Sequence, residues 1–328
     1  MKPSFLILSM LILCSPLFGQ QDTLQQTIDG LLIEEQTENS VWKIKRWFYE
    51  DPQKLSPYKA QLEQKINLLL QSPLADFDAY LLALTMSGEL ITLSDETGKE
   101  VARMHRYYRD DMRQTADYHS WIWEDSVYQG QRSVSGLLLD LLGHVSDLDS
   151  QEELQLALAN LEDCRLKMFA AASLIRRNVP VPAEEMKKIA ADDEVRSTFF
   201  GMLEEMDKEA IFPKKYAKQP LLARSKMVDW LTYPTELGCV PGRIEALQEF
   251  RIDYDDVGEA IFYLWKFQKK GETEWLVGLS GPYLATEVPT ANSYGYTFSK
   301  FEKLTDKKPE EHFADIMELI DSYHEEKE

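Results

Sequence analysis

The sequence predicts a mainly helical chain that closes with a small antiparallel sheet and one last helix. Three observations carry this expectation. Apolar residues recur at helical spacing from Leu24 to about Leu231. Four arginines repeat at a period that suits a pair of short helices. After Pro234 the composition turns to β-branched and aromatic residues broken by turn signals.

The first helices follow from spacing. Leu24, Ile28, Leu31 and Leu32 fall on one helical stripe, as do Leu62, Ile66, Leu69 and Leu70. Phe77, Tyr80, Leu81 and Leu84 continue the pattern beyond Pro73, with Asp76 or Ser72 placed to cap that helix and Gly88 to break it. The segment VWKIKRWFYED (41–51) holds Trp42, Trp47, Phe48 and Tyr49, and its helical spacing predicts ordinary core.

Arg132, Arg165, Arg196 and Arg224 are separated by 33, 31 and 28 residues. Three, four and seven places after each lie mostly apolar or small residues, from Ser135, Gly136 and Leu139 to Met227, Val228 and Leu231. Partner helices precede them at 151–161 and 182–193, the second with Pro182 in its first turn, where a missing N–H costs nothing. One helix pair cannot bury its apolar face alone, whereas stacked pairs share a core. Residues 162–203 resemble short bacterial HEAT-like repeats, in which an acidic residue and an arginine open the second helix. Asp163 with Arg165 and Glu194 with Arg196 fit that arrangement; Arg132 and Arg224 lack the acid two places earlier. The resemblance covers 130–232 and implies a HEAT-like α-solenoid, a curved stack of helix pairs that commonly binds proteins. The arginines are expected to join units by hydrogen bonds or ion pairs.

RIEALQEFRI (243–252), EAIFYLWKFQ (259–268) and EWLVGLSGPY (274–283) read as three strands of a meander. Ile261, Tyr263, Trp265 and Phe267 share one face, with Phe262 and Leu264 opposite, so the sheet is expected to pack on helices on one side. Residues 284–303 read as loop. A last amphipathic helix starts at Pro309, its stripe made of Phe313, Ile316, Met317, Ile320 and Tyr323.

The opening MKPSFLILSMLILCSPLFGQ has the order of a secretory leader: Lys2, an apolar run over Phe5 to Leu13, and Gly19 before the expected cut. The reading is then a leader at 1–19, a helical region at 20–234 and a strand-rich α+β region at 235–328. The product is expected to be periplasmic or extracellular, and a lipid anchor on Cys14 is the lesser alternative because Leu13 is large. No later stretch reaches the roughly 20 apolar residues of a transmembrane span. The formal charge of −20 repels phosphate backbones and argues against nucleic acid, while it suits basic proteins or simple solubility. Once Cys14 is removed, Cys164 and Cys239 remain, too few for a disulfide framework and read as unpaired.

Complete catalytic motifs fail. DYDDVGE (253–259) starts like a calcium loop, but Val257 and Leu264 stand where the fifth and twelfth ligands belong. GLSGP (278–282) has Pro282 where a nucleophile elbow needs glycine, and the S-x-x-K match at Ser56–Lys59 lacks its partner motifs. The richest segment is 103–132. His105, His119, Asp110 and Glu124 are the right ligand types for zinc or a related metal, though fourteen residues between the histidines is no recognised spacing. Its aromatics read first as packing beneath the repeats. Their functional alternative is a protein-binding surface of Trp121, Trp123, Tyr118, Tyr107, Tyr108 and Arg109, residue types that carry binding energy once desolvated. The expectation is therefore a non-enzymatic interaction module of the cell envelope with a protein partner and no cofactor. The alternative is a hydrolase or metal-dependent enzyme built on the cluster at 105–125.

Overall fold

The computed structural model describes residues 24–112, 114–115, 117–254, 258–285, 289–291 and 298–325. The expected leader with Cys14 lies outside them, as do Asp255 and Val257 of the rejected calcium loop and the side chain of Tyr323.

Among the described residues eleven α-helices precede the sheet: α1 (Leu24–Asp29), α2 (Thr37–Glu50), α3 (Lys59–Leu70), α4 (Phe77–Met86), α5 (Asp95–Asp111), α6 (Ser126–Leu142), α7 (Leu148–Asn160), α8 (Cys164–Arg176), α9 (Ala183–Ala191), α10 (Arg196–Glu204) and α11 (Gln219–Leu231). Side-chain caps set several starts, because the first N–H groups of a helix lack intrahelical acceptors. Asp76, not Ser72, accepts from the Ala79 amide at 2.9 Å, and Asp125, Asp147 and Asp163 serve α6, α7 and α8 in the same way. Pro182 sits just before α9 and not inside its first turn. Gly88 ends the α4 region with φ +84°, a conformation that side-chain-bearing residues resist.

Within a row, up to α10, neighbouring helices skip one helix in sequence, while consecutive helices such as α5 and α6 or α7 and α8 pack between the rows. α2, α4, α6, α8, α10 and α11 touch in succession, and α3, α5 and α7 form a second row behind them. One apolar cluster runs from Ile28 to Leu222 through both rows. The residues three, four and seven places after each repeating arginine are buried, apart from half-buried Phe169. Each fully buried Leu, Ile or Phe contributes about 1.5–3 kcal/mol. Gly98 lets α5 approach the start of α7, since a Cβ there would run into the Asp147 carboxylate. In α2 the core expectation holds only for Val41, Ile44 and Phe48, with Trp47 packed beside them. Trp42 and Tyr49 lie on another stripe and are 56% and 67% exposed.

The sheet contains β1 (Arg243–Tyr254), β2 (Gly258–Gln268), β3 (Leu276–Leu284) and β4 (Phe298–Lys303), antiparallel in that order. β4 corrects the expected loop over 284–303. Its sequence, FSKFEK, is short and carries three charges, so it has little intrinsic signal. The strand is set by pairing with the otherwise open edge of β3, as at Val277 with Glu302.

Both faces of β2 are covered. Ile261, Tyr263, Trp265 and Phe267 pack on Ala223, Met227 and Val228 of α11. Ala260, Phe262 and Leu264 face Ile316 of the closing helix α12 (Pro309–Glu325), beside Phe313, Met317 and Ile320. The apolar alternation is therefore double-sided because helices lie on both sides, not on one.

Candidate functional site

The repeating arginines reach forward along the row of α6, α8, α10 and α11. Arg132 donates to Asp163 from Nε and Nη2 at 2.6 and 2.9 Å. It also meets both oxygens of Glu194, at 2.8 and 3.0 Å. Arg165 donates from Nε to Glu194 at 2.9 Å and from Nη2 to Asp229. Asp163 stands just before α8 and Glu194 just before α10, so each acid serves the arginine of a preceding helix. Arg196 and Arg224 turn instead to Asp193, at 2.6 and 2.8 Å. Asp163, Glu194 and Arg132 are buried, and such charges persist there only when paired. Burial works against the charge of Arg132, but Asp163 and Glu194 outweigh it and hold its pKa well above the usual value.

Residues 117–125, which lead into α6, strap this network. Tyr118 donates to Asp192 at 2.9 Å and accepts the Cys164 amide at 3.2 Å. His119 places Nε2 3.0 Å from Asp192 and Nδ1 3.5 Å from Glu194. Burial opposes protonation of His119, yet the hydrogen bond to Asp192 and the charges of Asp192 and Glu194 raise its pKa overall. Asp192 is likewise opposed by burial and still held down to about 2, chiefly by its bond to His119. The Cys164 thiol, by contrast, is pushed up to about 12 by burial and by Asp192, so it keeps its proton at neutral pH and is no ready nucleophile.

His119, Asp192 and Glu194 offer ligand atoms within 4.8 Å of one another. Their chemistry fits a salt-bridged imidazolium better than a metal ion. The two ring nitrogens face different carboxylates, and Glu194 already holds two guanidinium groups that would repel a dication.

On the outer side of the network lies an open cleft of about 420 Å³, lined by Trp123, Arg132, Asp140, Arg165, Phe169 and Tyr233 among others. Arg132 stacks over the Trp123 ring at 5.5 Å, and Trp123 Nε1 is buried with no hydrogen-bond partner among the described residues. The turn after α11 closes the far wall with Tyr233, 53% exposed.

The structure divides the residues singled out from sequence. Trp123 lines the cleft, whereas Trp121 packs edge-on against Tyr128 and bonds Thr115 at 2.9 Å. Tyr118 is buried in the strap. Tyr107 is exposed on α5, paired edge-to-face with Tyr108, and Arg109 is committed to Glu153 through two 2.8 Å bonds. These six therefore do not form one surface. The proposed metal quartet is not assembled either. His105 is buried against Glu153 at 2.7 Å, Asp110 is exposed beside Arg109, and Glu124 is exposed. Asp192, Asp229, Phe169 and Tyr233 escaped the sequence reading as site residues. For the first acid step a signal existed, since Asp163 follows Arg132 by the repeat period.

Cys164 and Cys239 are both free thiols. No helix among the described residues is long and apolar enough to cross a membrane. No protein-family model matches the chain, and no curated protein or solved structure is detectably similar to it.

Proposed function

We propose that this chain is an exported, non-enzymatic protein-interaction module, a HEAT-like stack of helix pairs that docks a protein partner on the row containing α4, α6 and α8. The observation that carries the reading is the cleft. It gathers Trp, Tyr and Arg side chains, the types that dominate binding energy when partly desolvated, on a wall that the ion-paired network behind holds rigid. Two features support the stack itself: the helices pack in two rows, and Arg132 and Arg165 each reach the acid that opens a later helix of their row. The leader-like first nineteen residues support export. A hydrolase centred on His105 and His119 loses its basis, because the two histidines pair with different acids in different places.

Site-specific photocrosslinking in the native host tests this. A crosslinking residue replaces Tyr233 in one variant and Tyr107, on the far helix, in another. A discrete protein adduct from position 233 and none from 107 is the expected result. Adducts only from 107 would move docking to α5, and none from either would remove the interaction role.

A further inference from the structure

The charge state of the cleft narrows what it can hold. Its two arginines look like an anion site at first sight. Arg132, however, already meets Asp163 and Glu194, and Arg165 meets Glu194 and Asp229. An incoming carboxylate would therefore face cations that each touch two carboxylates, with Asp140 also on the wall. Asp140 in turn is matched by Arg176 at 2.7 Å. The lining is thus close to neutral, and what it still offers is flat surface: the rings of Trp123, Phe169 and Tyr233, and guanidinium planes that stack on rings even when their edges are paired.

Around that slot the field is negative. Glu124 and Asp125, both exposed, follow Trp123 directly, and the whole chain carries −20. At a few ångströms the paired arginines decide what enters the slot. Farther out, toward the Debye length of about 8–10 Å, the net charge decides what approaches.

Resting on the reading of the cleft as a docking site, we propose that its partner presents an uncharged aromatic side chain flanked by lysines or arginines. The ring enters between Trp123, Phe169 and Tyr233, and the basic flanks meet the acidic rim.

The test uses the mature chain and fluorescence anisotropy with three short labelled peptides. Each has the same length; one carries a central tryptophan between lysines, one the same tryptophan between glutamates, and one a central alanine between lysines. The expected result is saturable binding of the first alone, weakened about tenfold or more by Tyr233→Ala and steeply by added salt. Tyr233 is exposed, so its removal leaves folding intact, and circular dichroism checks this. Equal binding of the glutamate-flanked peptide would overturn the basic flanks. Equal binding of the alanine peptide, or indifference to Tyr233→Ala, would overturn the aromatic slot. If no peptide binds while position 233 still crosslinks a partner, the partner class is wrong and the docking site stands.

Discussion

Replacing Glu194 by alanine should be among the most damaging single changes in the helical part. Glu194 is fully buried and is shared by Arg132, Arg165 and His119. Removing it leaves the Arg132 guanidinium, itself 5% exposed, with one acid in place of two, while Arg165, 31% exposed, recovers part of its hydration. Breaking a buried pair by deleting one partner costs about 3–5 kcal/mol, so with Arg165 discounted the expected loss is about 3 kcal/mol. Glu194→Gln keeps the shape and one acceptor and should cost less, about 1.5–3 kcal/mol for the charged hydrogen bonds. Urea unfolding followed by far-ultraviolet circular dichroism measures both, and a cycle with Arg132→Gln isolates their coupling. A loss under about 1 kcal/mol for Glu194→Ala, or strict additivity in the cycle, would refute the shared counter-ion.

The remaining predictions concern acid–base chemistry. With its pKa raised, His119 stabilises fully below its ordinary value near 6.5 and loses that contribution as pH climbs through the higher folded value. The alkaline decline in stability should therefore flatten in His119→Gln, and parallel profiles for the two proteins would sink the assignment. Asp192, held near 2, acts oppositely: its contribution is complete above the ordinary value of 3.8 and fades as pH falls toward 2. Alkylation followed by mass spectrometry should label Cys239 well before Cys164, whose thiol is raised to about 12 by burial; equal rates in the folded protein would contradict that environment.

How much of this is legible in the sequence depends on distance along the chain. Ile261, Tyr263, Trp265 and Phe267 alternate within one strand, so their shared face could be read directly. Arg132 and Arg165 announce themselves by period. His119 does not, because its partner Asp192 is 73 residues away and no local pattern links them. The cleft is hidden for the same reason: Tyr233 and Trp123 line one cleft although 110 residues separate them in sequence. Aromatic density at 103–132 drew attention to a segment that supplies both Trp123 and Trp121, but it could not tell Trp123 on the wall from Trp121 in the packing.

The strap at 117–125 also bears on how the chain folds. A row of helix pairs with only nearest-neighbour contacts can form from any point and fray from either end. Tyr118 and His119 break that locality by holding the turn between α9 and α10, across the whole of α6, α7, α8 and α9. The loop they close must be ordered before their contacts repay its entropy, which slows assembly. Once closed, α6 to α10 can no longer peel away one helix at a time, and their amides gain protection together as a single cooperative unit.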